Sequence, residues 1–173
     1  MPIETPPLIW GHLNVNVSDL ERSISFYETL GFEIFRSGIP YLGLVRQELR
    51  PLPASMTRAL GVSAETRGKA CILQLDEGLP KLDLIELDPP GERQPLTSQD
   101  TGLVRLCLGS RDLDADVARL RAAGVELLSE PQSDPQRLAR VAVCLDPDGT
   151  AIELIEVDFV RWNQLPAEKT VQG

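Results

Sequence analysis

The sequence predicts an α+β fold made of two βαβββ modules. Three observations carry this expectation: an internal repeat without gaps, the switch from period-2 to helical spacing inside each copy, and paired apolar runs joined by turns. The repeat sets HLNVNVSDLERSISFYETLGFEI (His12–Ile34) above RLCLGSRDLDADVARLRAAGVEL (Arg105–Leu127) at an offset of 93, His12 to Arg105. The offset holds for Asp19/Asp112, Leu20/Leu113, Gly31/Gly124 and Glu33/Glu126. Two copies are too few for a solenoid and indicate a duplicated module.

Each copy opens with a strand. Leu13, Val15 and Val17 alternate with polar neighbours, the pattern of a half-buried strand. Asp19 follows, a residue whose carboxylate accepts backbone N–H groups at a helix N-cap. Leu20, Ile24 and Tyr27 then fall on one helical face, widened by Phe26 and Leu30. Gly31 ends the helix, because glycine takes the left-handed position past a C-terminus at little cost. Phe32–Phe35 begins the next strand. In the second copy Asp112 caps, Leu113, Val117 and Leu120 bury, Gly124 stops, and Val125–Leu128 extends.

Further strands complete each module. Lys69–Leu75 and Lys81–Leu87 are apolar runs around the turn Asp76–Pro80. Leu138–Leu145 and Thr150–Val157 flank DPDG (Asp146–Gly149), in which proline presets φ and glycine accepts positive φ. The first module spans 8–90, with an insertion near 38–68; the second spans 100–157; a tail occupies 158–173. Inside the insertion, Ala54–Leu60 predicts a short helix ending at Gly61. The return strands hold LIEL (Leu84–Leu87) and AIELIE (Ala151–Glu156). Matching Glu86 to Glu153 gives an offset of 67, which assigns about 26 extra residues to the first module.

Composition excludes several classes of function. The chain has 173 residues, is 42% apolar and carries a net charge of −9. Its basic residues are scattered, so a nucleic-acid partner is disfavoured. No apolar run is long enough to span a bilayer, and MPIETPPLIW lacks the basic-then-apolar order of a signal peptide. Cys71, Cys107 and Cys144 sit in apolar runs, an odd count that predicts buried, reduced thiols in a cytoplasm. There is no G-x-S-x-G nucleophile elbow, Gly-rich phosphate loop or CxxC pair.

Four positions recur by pseudo-symmetry: His12 and Arg105 open the first strands, and Glu86 and Glu153 lie in the last ones. Asn14 and Asn16 share the His12 face, which predicts a polar cavity wall, although polar strand positions also simply face water. A lone histidine is more often structural than a ligand. The repeat raises the functional reading of His12.

On GHLNVNVSDLERSISFYETLGFEI and DPDGTAIELIE, the chain resembles the vicinal oxygen chelate superfamily, the glyoxalase, fosfomycin-resistance and extradiol-dioxygenase group. The resemblance covers about Leu8 to Val157. It implies two βαβββ modules around a U-shaped half-barrel with flanking helices, commonly a homodimer. It also implies a divalent metal bound by one residue from each of the four positions. His12, Glu86 and Glu153 match ligand types of the family. Arg105 does not: it stands where many members have a second histidine, and a guanidinium has no lone pair to give a metal.

Two readings follow. In one, a divalent ion of unknown identity sits on His12, Glu86 and Glu153 and polarises a small-molecule substrate with adjacent oxygens. Glu86 or Glu153 is then the base, and Arg105, Asn14 and Asn16 bind substrate, as in a glyoxalase-type lyase or isomerase. In the other there is no metal. Arg105 neutralises Glu86 and Glu153, and the protein binds a small molecule, as resistance proteins of the superfamily do. Ring cleavage by a dioxygenase is disfavoured, because two histidines and a carboxylate are needed and the chain has one histidine.

Overall fold

The computed structural model describes residues 8–92 and 94–165. The chain divides into two compact units, residues 1–93 and 94–173, and the fold is α+β.

The first unit runs β1 (His12–Asn16), α1 (Leu20–Thr29), β2 (Glu33–Arg36), β3 (Gly38–Ile39), a 3-10 turn (Pro40–Leu42), β4 (Leu44–Val45), β5 (Arg50–Pro51), α2 (Ala54–Leu60), β6 (Arg67–Gln74) and β7 (Lys81–Asp88). Asp19 caps α1 by accepting the N–H of Arg22 at 3.0 Å. Leu20, Ile24 and Tyr27 are buried on the inner face of this helix, as their spacing predicts. The sheet order is β1-β7-β6-β2, with β5 added to β6. β1 runs parallel to β7, and β6 antiparallel to both β7 and β2.

The insertion is ordered and builds a second core. Ile39, Leu42, Leu44 and Leu52 are buried with Ala70 and Ile85, and Met56, Ile72 and Leu87 pack against them. Ala70 and Ile85 are register partners, as are Ile72 and Asp83, so this cluster covers the sheet face that also carries Asp83. α2 occupies the predicted residues and stops at Gly61, whose φ is +67°.

The second unit runs β8 (Arg105–Gly109), α3 (Leu113–Ala122), β9 (Gln132–Ser133), β10 (Ala139–Leu145), β11 (Ala151–Val157) and α4 (Phe159–Trp162). Its sheet order, β8-β11-β10-β9, repeats that of the first unit. Asp112 caps α3 through the N–H of Ala115 at 3.0 Å. Leu113, Val117 and Leu120 are buried under it. In the DPDG turn, Asp146 Oδ1 accepts the N–H groups of Asp148 (3.0 Å) and Thr150 (2.7 Å).

The second unit departs from expectation at Val125–Leu128, which is not a strand. Leu127 makes only an isolated bridge to Cys144, and the edge strand forms later, at Gln132–Ser133. Pro131, which has no N–H for a ladder, separates the two contacts. Among the described residues, no helix is long and apolar enough to cross a membrane. The tail beyond 165 lies outside the described residues.

Candidate functional site

Strand register decides which side chains share a face. In the first unit β1 and β7 pair His12 with Lys81, Asn14 with Asp83 and Asn16 with Ile85. Side chains alternate along a strand, so His12, Asn14, Asn16 and Asp83 lie on one face. The Asn14 amide donates to Asn16 Oδ1 at 3.0 Å along that face. His12 Nε2 lies 3.7 Å from Asp83 Oδ2. Tyr41, delivered by the insertion, sets its ring near-parallel to the His12 ring, 29° apart in plane and 6.4 Å between centroids.

Asp83 is the buried member of this group, at 1% exposure, and its Oδ1 has no hydrogen-bond partner. Burial pushes its carboxyl above the usual carboxylate range, with the nearby His12 pulling the other way. Partial desolvation, followed by the Asp83 charge, raises the Tyr41 phenol.

Glu86 is not in this group, which corrects the sequence-based pairing. Its register partner in β6 is Lys69, and it lies on the helix-facing side with Leu82 and Leu84. Its Oε2 accepts the N–H of Leu20, the first residue of α1, at 2.7 Å, and Lys69 Nζ lies 3.1 Å away. A carboxylate at a helix N-terminus takes up orphan N–H groups and meets the positive end of the dipole. In the second unit Glu156 does the same for α3, accepting the N–H of Leu113 at 3.3 Å.

The register sets how the last strands of the two units correspond. His12 pairs with Lys81 and Arg105 with Ala151, so the last strands correspond at an offset of 70, Lys81 to Ala151. DLIEL (Asp83–Leu87) then lies over ELIEV (Glu153–Val157). Asp83 corresponds to Glu153 and Glu86 to Glu156. The first module is therefore longer by 23 residues, the difference between offsets 93 and 70, rather than 26. Matching IEL to IEL slides the strand by three, an odd number, and puts the glutamate on the wrong side of the sheet.

In the second unit Arg105 and Glu153 do share a face. Glu153 pairs with Cys107 across β8, and Arg105 is two residues from Cys107. Arg105 Nε donates to Glu153 Oε2 at 2.5 Å. The Glu153 side chain is 15% exposed and that of Arg105 40%. Cys107 Sγ donates to Glu153 Oε1 at 3.4 Å. Partial desolvation, then the hydrogen bond and charge of Glu153, push this thiol up to about 11, against the opposing Arg105 charge. Cys107 is exposed, contrary to expectation, whereas Cys71 and Cys144 are buried; all three are free thiols.

The geometry separates members of the expected metal set. His12 and Glu86 lie on opposite faces of one sheet and cannot ligate one ion. Glu153 is already engaged by a cation that offers no lone pair. Within neither unit do three His, Cys, Asp or Glu side chains gather in a metal-binding group among the described residues.

Both units therefore carry a polar sheet face whose carboxylate is partnered by the residue opening its first strand, in sheets of one order. Residues 9–154 match the Glyoxalase/Bleomycin resistance protein/Dioxygenase superfamily, and the chain belongs to that family. The chain is similar to a solved glyoxalase family protein of Bacillus cereus, at 19% identity and a TM-score of 0.69, covering 91% of this chain and 99% of that one. It is also similar to an antibiotic binding protein of a Streptomyces species, at 25% identity and a TM-score of 0.54, covering 91% and 98%. A third likeness is to the trypanothione-dependent glyoxalase I of Leishmania major, at 22% identity and a TM-score of 0.54, covering 88% of each chain. No curated protein matches the sequence.

Proposed function

We propose that this protein binds a small organic molecule without a metal, by means of the polar sheet faces that carry Arg105–Glu153 and His12–Asp83. The observation that carries this reading is the Arg105–Glu153 pair. A permanent cation sits 2.5 Å from the carboxylate that the family resemblance offers to a metal. The pair satisfies a largely buried charge that is costly to desolvate alone. It also leaves the remaining guanidinium N–H groups to donate to a carboxylate, carbonyl or phenolate on a ligand. The likeness to an antibiotic binding protein supports the same reading.

The first unit contributes a different surface. His12 and Tyr41 offer two exposed ring faces, and Asn14 and Asn16 offer amide donors and acceptors. Apolar ligands with a few oriented polar groups suit such a wall. The insertion core fills the rest of that sheet face, from Ile85 onward, so ligand contacts are restricted to the His12 end. The reading includes a homodimer in a reducing cytoplasm, where the Cys107 thiol persists, and a small-molecule ligand with neither nucleic acid nor membrane as partner.

The competing reading is a metal-dependent lyase or isomerase. An ion in the first unit would have to use Asp83 in place of Glu86, and one in the second unit would have to take Glu153 from Arg105. Elemental analysis of the purified protein separates the two. Substoichiometric Mg, Mn, Fe, Co, Ni and Zn, with no rise in melting temperature on adding any of them, supports the binder. One tightly held ion per chain, lost in His12→Ala and in Asp83→Asn, overturns it in favour of the enzyme.

A further inference from the structure

A hollow lies elsewhere in the second unit. Ser133, Arg137, Arg140, Glu156, Asp158 and Arg161 surround its volume of about 350 Å³. It sits at the end of the β10–β11 pair remote from the DPDG turn. Glu156 belongs to the helix-facing side of the sheet, three residues from Glu153, so the hollow is distinct from the Arg105 face.

The charges around it are unequally engaged. Arg140 is forked onto Asp114 at 2.8 and 2.6 Å, with Glu156 at 3.4 Å. Asp158 accepts the backbone N–H of Arg161 at 3.0 Å and its Nε at 3.1 Å, which leaves the terminal nitrogens of Arg161. Arg137 has no carboxylate partner among the described residues. Two arginines whose guanidinium groups have donors to spare therefore line one hollow.

Arg137 is also held there by unusual means. Its φ is +56°, and it is the one non-glycine residue with positive φ among those described. Asp134 imposes this shape: its carboxylate accepts the N–H groups of Gln136, Leu138 and Ala139 at 2.9, 2.6 and 2.8 Å. The Arg137 N–H closes the turn on the Asp134 carbonyl at 3.0 Å. Glycine or asparagine takes that conformation with less strain. Keeping an arginine in a strained position beside a cavity is the kind of outlier from which function is inferred.

We infer that the Arg137–Arg161 hollow is a binding site for the oxyanion of a small metabolite, a carboxylate or a phosphate monoester. The planar fork of a guanidinium matches both groups. The test is an amide NMR titration of the full chain with sodium phosphate and, separately, sodium acetate, against chloride at constant ionic strength. The expected result is a saturable shift at Arg137–Ala139 and Asp158–Arg161 in the millimolar range, weakened about tenfold or more in Arg137→Gly. That variant relieves the backbone strain, so its melting temperature should equal or exceed that of the parent. Tighter phosphate binding identifies a phosphate monoester, and tighter acetate binding a carboxylate. Non-saturable shifts with both anions, or unchanged affinity in Arg137→Gly, overturn the proposal. A lower melting temperature in that variant also counts against it, because the arginine would then be serving the fold.

Discussion

Glu86 Oε2 accepts the backbone N–H of Leu20 at 2.7 Å, and Glu156 Oε2 accepts that of Leu113 at 3.3 Å. Each glutamate closes the start of the helix in its own unit, which makes the two equivalent by structure and architectural in role. Their neighbours three residues earlier, Asp83 and Glu153, are the carboxylates of the polar faces.

Glu86→Ala is expected to destabilise the protein by about 1–3 kcal/mol, because it strips an acceptor from a helix N-terminus and the partner from half-buried Lys69. Urea titration reads this as a lower midpoint at unchanged slope. Full stability with loss of ligand or metal binding would contradict the architectural role.

Asp83→Asn is expected to behave oppositely. A buried carboxylate with one unpartnered oxygen carries a desolvation penalty, so the neutral amide should raise stability at pH 7 by roughly 1 kcal/mol. A retained penalty of this kind belongs to a working site, and the same variant should weaken ligand binding. A less stable variant would show that Asp83 holds the fold.

Arg105→Ala should cost about 1–3 kcal/mol at neutral pH, because it leaves Glu153, whose side chain is 15% exposed, without its cation. Arg105→Lys should recover only part of this, since an ammonium cannot reproduce the directed Nε–H bond. Equal stability of all three proteins would show that the pair carries no energetic weight.

Cys107 should be the first thiol alkylated by iodoacetamide, because Cys71 and Cys144 are buried. Its thiol is pushed up to about 11, so the thiolate is scarce at pH 7 and the rate should climb until the pH approaches that value. Glu153→Gln removes the carboxylate that raises the thiol and frees Arg105 to lower it. The variant should therefore react several-fold faster at pH 8. Mass spectrometry of the labelled peptide checks both the order and the rates.

Gly38→Ala should damage the insertion. Gly38 has φ +147°, and an added Cβ would lie 2.5 Å from the carbonyl oxygen of Leu44. That strand pair presents Ile39 and Leu44 to the insertion core. A loss of more than about 2 kcal/mol is expected, together with weaker ligand binding at the His12 end. An unaffected protein would mean that the insertion does not shape the site.

Much of this architecture was legible from local chemistry. Alternation in Leu13–Val17, the caps Asp19 and Asp112, the stops Gly31 and Gly124, and the DPDG turn each act over a few residues, and all appear where their chemistry places them. The repeat carried the βαβββ order and singled out Arg105, which the structure places against Glu153. The Asp83/Glu153 correspondence was also present, in DLIEL over ELIEV, but an equally good local match three residues away concealed it. Tyr41 gave no signal at all, since a tyrosine in a Pro- and Gly-rich segment has no period to reveal its direction.

Which face each carboxylate takes was settled by pairing between strands far apart in sequence. Side chains alternate every residue, so an odd error in register exchanges a helix-capping glutamate for a site residue, and no short-range pattern penalises that exchange. The burial of Asp83 and the exposure of Cys107 likewise depend on what long-range packing lays over each strand. Backbone chemistry is local and readable along the chain; facing and burial are properties of neighbours that the chain meets only on folding.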